Sequence, residues 1–375
     1  MAASFAVAGR LILEDRLEAG RVIVEDGRIV SVEPGDVPSG APYVAPGFVD
    51  VHVHGWGGHD AMGGAEALDG MSRQLLRHGV TSFLPTAVTA PLAALVEFAE
   101  RVRAWVPVAP SNGAEPLGFN LEGPFLSSVR RGAHDPTFLR TPADVDEAAF
   151  EPLLDGLRLI TIAPELPGAL DLIGRLRARG VAISMGHSAA TLDQARVGYA
   201  AGGTTTTHLF NAMTGVDHRV PGLAVAALLD DAAYVELIAD GHHVHSALWE
   251  LIGRLKPADR LLLVSDAISL AGTGDGRALV GGFEVEVLDG RATLLGTTTL
   301  AGSVIALDTA VRNLVASGVP LPAAVAAASR NPLAMLGVTD RGRIEVGRRA
   351  DLVELDDDLR VRRALHDGEW LDSAG

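Results

Sequence analysis

Residues 47–58 read Gly47-Phe48-Val49-Asp50-Val51-His52-Val53-His54-Gly55-Trp56-Gly57-Gly58. Valine and phenylalanine alternate here with polar groups, and glycine stands on both sides, so the stretch reads as a strand that runs into a pliable loop. His52 and His54 are two apart, which on a strand sends both side chains to one face, where a pair of imidazoles can grip one cation. An isolated His-x-His is more often two unrelated histidines in a turn. The strand before this pair and the glycine-rich loop after it favour a metal motif at a strand's C-terminal end.

Outward from this stretch, short apolar runs alternate with Ala/Leu-rich helical stretches as far as about residue 335. Strands are expected at 47–55, 81–86, 117–122, 157–164, 181–187, 204–209, 235–240 and 261–266, with helices at 192–201, 246–255 and 303–317. Eight alternating units predict an α/β fold closed as a (β/α)8 TIM-like barrel rather than an open sheet. The two ends differ in style. Val22-Ile23-Val24-Glu25-Asp26-Gly27-Arg28-Ile29-Val30 is two apolar runs around Asp-Gly, a strong hairpin signal, and residues 350–361 are again strand-rich. The expected organisation is a small β-sandwich domain built from segments 1–45 and 339–375, enclosing a barrel over 46–338. A second Asp-Gly hairpin, at Asp289-Gly290, follows the last barrel strand as an insertion.

Composition narrows the function. With 375 residues and 48% apolar content the chain can bury a large core. A net charge of -16, with no long basic run, argues against partners such as nucleic acid or an anionic membrane surface. The absence of cysteine excludes thiolate ligands and a cysteine nucleophile, so every metal ligand must be His, Asp or Glu. The opening Met1-Ala2-Ala3-Ser4-Phe5 is unlike a signal peptide, and no uncharged apolar stretch is long enough for a membrane span, so a cytoplasmic location is expected.

Charged and imidazole groups recur where the expected strands end, the rim on which barrels carry their active sites. Besides His52 and His54, these are Glu122, His187, His208 and Asp266. Each alone has an ordinary reading, as a solvated glutamate or a satisfied core histidine. Together Glu122, His187 and His208 form a neutral, neutral, anionic ligand set that suits a zinc or iron ion with an open position for water. Asp266, after the apolar run Leu261-Leu262-Leu263-Val264, suits the group that takes a proton from that water and returns one to a leaving amine.

Five motifs carry a more specific resemblance. Leu121-Glu122-Gly123-Pro124-Phe125, Gly186-His187-Ser188, His208-Leu209-Phe210-Asn211-Ala212-Met213, Ala239-Asp240-Gly241-His242-His243-Val244 and Ser265-Asp266-Ala267 follow in the order found in N-acetylglucosamine-6-phosphate deacetylases, members of the amidohydrolase superfamily. The similarity runs from about residue 45 to the C-terminus. It implies hydrolysis of the acetamide of an amino-sugar phosphate to acetate and glucosamine 6-phosphate, by hydroxide on an ion held by Glu122, His187 and His208, with Asp266 as acid/base. It further implies that His134 lies near the substrate amide, and that Asn211, the backbone at Ala212 and His243 bind the sugar phosphate. Arg219 matches an arginine that reaches the phosphate from a neighbouring subunit, which implies a homodimer.

Some members lack the first two histidines and use one metal; this chain has both, so one or two divalent ions per chain are expected, zinc or iron, with Glu122 the evident bridge. Lys256 is the only lysine and lies outside the fourth strand, which excludes a carbamate-bridged pair of ions. Three readings stay open: the glucosamine substrate, its galactosamine epimer, and a barrel that binds sugar phosphate without turnover. The intact Asp266 argues against the last. Trp56 and Phe125 are as suited to packing as to lining the sugar site, and His242 and His245 are read as bystanders.

Overall fold

The computed structural model describes residues 4–372; Met1-Ala2-Ala3 and the final three residues of the expected terminal domain lie outside the described residues. Eight strands run in sequence order around one parallel sheet: Phe48–Val53, Val80–Ala87, Phe119–Glu122, Leu157–Ile162, Ala182–Met185, Thr205–Thr206, Tyr234–Leu237 and Leu261–Leu263. The ring closes just past the last strand. The Asp266 amide donates to the His52 carbonyl at 2.8 Å, and the His54 and Gly55 amides donate to the Ala267 carbonyl at 2.8 and 2.9 Å. The first two strands are buried along their whole length, as expected when side chains fill the barrel on one face and helices cover the other.

The eight expected strands are all present, but several stop short of the apolar runs that signalled them. The reason is local. His187, His208 and Asp266 adopt positive φ of 46°, 27° and 49°, so the backbone leaves the β region at the candidate site residue itself. Helices Leu192–Ala201 and Ser246–Leu255 lie where the sequence put them, the first started by a reciprocal Thr191–Gln194 capping box. The helix expected from residue 303 begins only at Leu307. Ser303 is used otherwise: its amide donates to the Asp266 carbonyl at 2.7 Å and its hydroxyl to the Ser265 carbonyl at 2.5 Å. Residues 303–306 therefore brace the last strand end.

Both chain ends supply one seven-stranded sheet, ordered Glu369–Asp372, Val361–His366, Leu352–Leu355, Tyr43–Pro46, Ser4–Ile12, Leu17–Glu25 and Arg28–Pro34. Its apolar residues, among them Val7, Leu11, Val22, Ile29, Val44 and Leu352, form a second core distinct from that of the barrel. The hairpin at Asp26-Gly27 has φ of 48° and 72°, the two left-handed residues that a tight β-turn of this type needs. A partly buried ionic clasp links sheet and barrel. Arg341 meets Glu115 at 2.7 Å, and Arg349 pairs with Glu115 and with Asp351, the latter at 2.5 Å. Gly47 sits at this junction, where a Cβ would stand 2.2 Å from Thr81 Oγ1.

The Asp289-Gly290 hairpin is part of an inserted three-stranded antiparallel sheet, Gly276–Val280, Phe283–Leu288 and Arg291–Leu294. With its own small core around Ile268, Val285 and Val287, it stands at the C-terminal mouth of the barrel. Among the described residues no helix is long and apolar enough to cross a membrane.

Candidate metal centre

The strand ends bring two groups of possible ligands together: His52, His54 and Asp266 in one, Glu122, His187 and His208 in the other, with the donor atoms of each group lying within 4.8 Å of one another. Glu122 joins them. Its Oε1 lies 3.0 Å from both His187 Nε2 and His208 Nε2, whereas its Oε2 lies 3.3 Å from His54 Nε2 and 3.1 Å from His134 Nε2. Asp266 Oδ1 stands 3.2 Å from His54 Nε2 and 3.6 Å from His52 Nε2. Every one of these side chains is buried.

Backbone and side-chain acceptors turn the rings inward. His54 Nδ1 lies 3.1 Å from the Thr86 carbonyl and His187 Nδ1 lies 2.9 Å from the Arg130 carbonyl, which leaves each Nε2 facing the cluster. His52 Nδ1 is backed by a carboxylate, Glu236, at 3.1 Å. Asp50 holds the seam between first and last strands: its Oδ1 accepts from the amides of His52 at 3.2 Å and Ser265 at 3.3 Å. Burial pushes the Asp50 carboxyl up to about 6.

The electrostatics are those of a cation trap. Burial opposes charge on every group, yet the carboxylates win. His54 is raised to about 9 because hydrogen bonds to Asp266 and Glu122 outweigh its desolvation, and His52 is raised well above its ordinary value by Glu122 and Glu236. Asp266 is held at about 2, against its burial, by His54 and His52; Glu122 is driven well below the usual range, chiefly by His134 and His52. His134 goes the other way, because desolvation dominates, and stays neutral near pH 7. Its Nδ1 accepts from the Thr89 amide at 3.4 Å, which puts the ring proton on Nε2.

The donor set fits a divalent ion. His52 Nε2 is fully buried and, among the described residues, has no hydrogen-bond partner, an arrangement that a ligand bond would satisfy. Imidazoles and carboxylates without thiolates suit zinc or iron. The cluster floors a cavity of ≈ 430 Å³, large enough for a small substrate, whose wall includes His134, Asn211, Ala212 and His243.

Each sequence-derived candidate has a definite place. His243 is held by Asp240, with Nδ1 2.7 Å from Oδ2, and Ala212 takes a left-handed φ of 47° that re-aims the chain at the cavity wall. Arg219 lies on an exposed loop, outside this chain's cavity, beside Val216 and Val220, which are 66% and 68% exposed. Trp56 and Phe125 are packing residues, against His78 and Phe150. His245 starts the helix Ser246–Leu255, and His242 is exposed. Sequence reasoning missed Glu236, Asp50 and two cationic residues of the cavity wall, Arg130 and Arg291. A glutamate in the middle of a barrel strand was itself a signal, since that position has no route to solvent.

A barrel with two histidine–carboxylate groups sharing one glutamate at its C-terminal rim defines a metal-dependent hydrolase. The chain belongs to the amidohydrolase family, which residues 43–371 match. It is 39% identical to the N-acetylgalactosamine-6-phosphate deacetylase of Escherichia coli O157:H7, over 96% of this chain and 97% of that protein. It is also 39% identical to the N-acetylglucosamine-6-phosphate deacetylase of Homo sapiens, over 96% of this chain and 92% of that protein. Among solved structures, a mutant N-acetyl-D-glucosamine-6-phosphate deacetylase from Mycobacterium smegmatis in complex with N-acetyl-D-glucosamine-6-phosphate superposes with a TM-score of 0.91, at 36% identity, covering 98% of this chain and 99% of that one.

Proposed function

We propose that the protein hydrolyses the acetamide of N-acetyl-D-glucosamine 6-phosphate, releasing acetate and D-glucosamine 6-phosphate. The observation that carries this is Glu122, whose carboxylate lies against histidines of both ligand groups while Asp266 faces the same cavity. Glu122, His187 and His208 would hold one divalent ion, zinc or iron, and His52, His54 and Asp266 a second. When bound, such an ion polarises a carbonyl and makes water acidic enough to serve as a nucleophile near neutral pH.

The chain's own groups account for the proton traffic. Asp266 is ionised at neutral pH and can take a proton from the attacking water, then pass it to the nitrogen as the C–N bond breaks. Neutral His134, with its proton on Nε2, can donate to the acetamide oxygen. At the mouth, His243, Asn211 and the chain at Ala212 are suited to the sugar phosphate, with Arg130 and Arg291 adding positive charge. Arg219, exposed beside an apolar pair, would reach the phosphate of a neighbouring subunit in a homodimer. We place the reaction in the cytoplasm, because a phosphorylated sugar is charged and does not cross a membrane unaided.

A second reading has a specific basis: the galactosamine epimer is the substrate named for one relative of equal identity. Acetate release from the two phosphorylated epimers and from unphosphorylated N-acetylglucosamine, with added zinc or iron, tests both. The expected order places N-acetylglucosamine 6-phosphate first and the unphosphorylated sugar far behind. Faster turnover of the galacto epimer would replace the first reading by the second. Equal rates with and without phosphate would refute the phosphate site, and binding without turnover would leave a sensor.

A further inference from the structure

Glu236 is the central charged residue of the strand Tyr234–Leu237 and is completely buried inside the barrel, beneath the ligand groups. Its carboxylate has three partners. Oε2 lies 3.1 Å from His52 Nδ1 and accepts from the His208 amide at 3.3 Å, and Oε1 accepts from Ser184 Oγ at 3.3 Å. These contacts touch both halves of the metal cluster: the side chain of His52 from one and the backbone of His208 from the other.

An ionised carboxylate can only accept, so the proton between Glu236 and His52 must sit on Nδ1. That leaves the opposite ring nitrogen facing Glu122 Oε1 and Asp266 Oδ1, each at 3.6 Å, with no hydrogen bond of its own among the described residues. His54 and His187 are oriented instead by neutral backbone carbonyls. Carboxylate backing makes an imidazole a better donor to a cation and fixes its tautomer. Burying that carboxylate is costly unless it is compensated, and two of its three hydrogen bonds come from neutral donors, the His208 amide and the Ser184 hydroxyl. A divalent charge on the far side of the His52 ring would compensate it further, through the same imidazole that Glu236 orients at 3.1 Å.

We propose that Glu236 is the positioning residue that makes the His52–His54–Asp266 group able to hold an ion, and that the number of ions this enzyme binds is set from this strand. The inference rests on the reading above that the cluster binds metal in both groups. Its test is metal content, measured on the full chain. Wild type and Glu236→Gln are stripped with chelator, reloaded with Zn(II), and compared by elemental analysis and calorimetric titration. Glutamine keeps the volume and removes the charge.

Wild type should bind about two ions, and Glu236→Gln should keep the first with little change while the second weakens roughly 10–100-fold. Thermal unfolding of the metal-free proteins checks that the variant folds. If it does not, Ser184→Ala, which removes one partner of Oε1, should weaken the second ion alone by a smaller factor. Two ions of unchanged affinity in Glu236→Gln would overturn the proposal and leave the two-ion reading intact. Equal weakening of both ions would also overturn it, because the role would then be structural. A wild type that binds a single ion would remove the underlying reading and the proposal with it.

Discussion

Replacing Asp266 by asparagine preserves the side-chain volume and deletes the carboxylate that stands 3.2 Å from His54 Nε2. If Asp266 moves the proton, the loss should be that of a positioned acid/base, roughly 10²–10⁴ in turnover, or about 3–5 kcal/mol of barrier. The structure separates this from loss of metal. Glu122, His187 and His208 make their mutual contacts at 3.0–3.1 Å without Asp266, so an ion on that side should survive the substitution. His54, raised to about 9 with Asp266 as the leading partner against burial, should fall back toward its ordinary value. Acetate release from N-acetylglucosamine 6-phosphate under saturating zinc reads the first effect, and elemental analysis of the same sample reads the second. Turnover within about tenfold of wild type would refute the acid/base role. Turnover lost together with both ions would refute it equally, since the defect would then be an empty site.

Other outcomes follow from single contacts. Glu122→Gln removes the charge shared by the two ligand groups, and should lower metal content on both sides rather than one, as measured by elemental analysis. Arg291→Ala, on the inserted hairpin at the cavity wall, should raise KM for the phosphorylated sugar several-fold while kcat and the KM of the unphosphorylated sugar stay near wild type. Acid should loosen the clasp between sheet and barrel. Despite burial, His366 and Arg349 hold Asp351 below its ordinary value, as Arg341 and Arg349 do Glu115. Their contribution is complete above the unfolded carboxyl pKa of about 4 and is lost as pH falls through the lower folded values. The thermal midpoint should therefore hold from neutral pH to about 5 and drop below about 4, with a weaker drop in Arg341→Met; identical profiles would contradict the assignment. Gly47→Ala would force a methyl to 2.2 Å from Thr81 Oγ1 and should destabilise by roughly 1–3 kcal/mol in urea titration.

Much of this molecule was legible in its sequence, and the parts that were not share a cause. Strand periodicity and the alternation with helices gave the barrel, because every strand must be apolar on both faces to sit between core and helices. The strand ends carried the candidate ligands, and the six side chains His52, His54, Glu122, His187, His208 and Asp266 lie together in the structure. Strand lengths were overestimated where an apolar run continues through residues with positive φ, since hydrophobicity reports burial and not backbone conformation. Ser303 was read as the start of a helix because its hydrogen bonds to the Ser265 and Asp266 segment join residues some forty positions apart. Glu236 and Asp50 escaped notice for a related reason. Their partners sit on other strands, so the sequence shows an acid inside an apolar strand but not the groups that it holds. Arg291 belongs to an insertion whose placement over the cavity is purely tertiary.

The left-handed backbone at the ligand positions bears on how this barrel would evolve in the laboratory. A residue with a side chain costs roughly 1–2 kcal/mol in that conformation, less for asparagine and aspartate, whose short polar side chains tolerate it. His187 and His208, at φ of 46° and 27°, carry this cost in the resting fold, whereas Asp266 at 49° is of the tolerant type. Selection for heat resistance alone would therefore favour asparagine at 187 and 208 and yield a sturdier barrel without the imidazoles that face Glu122 from those two positions. Selection that scores turnover at each round would instead preserve both histidines and gather its stabilising changes elsewhere, in the helices and the terminal sheet. The two lineages would diverge first at these two positions.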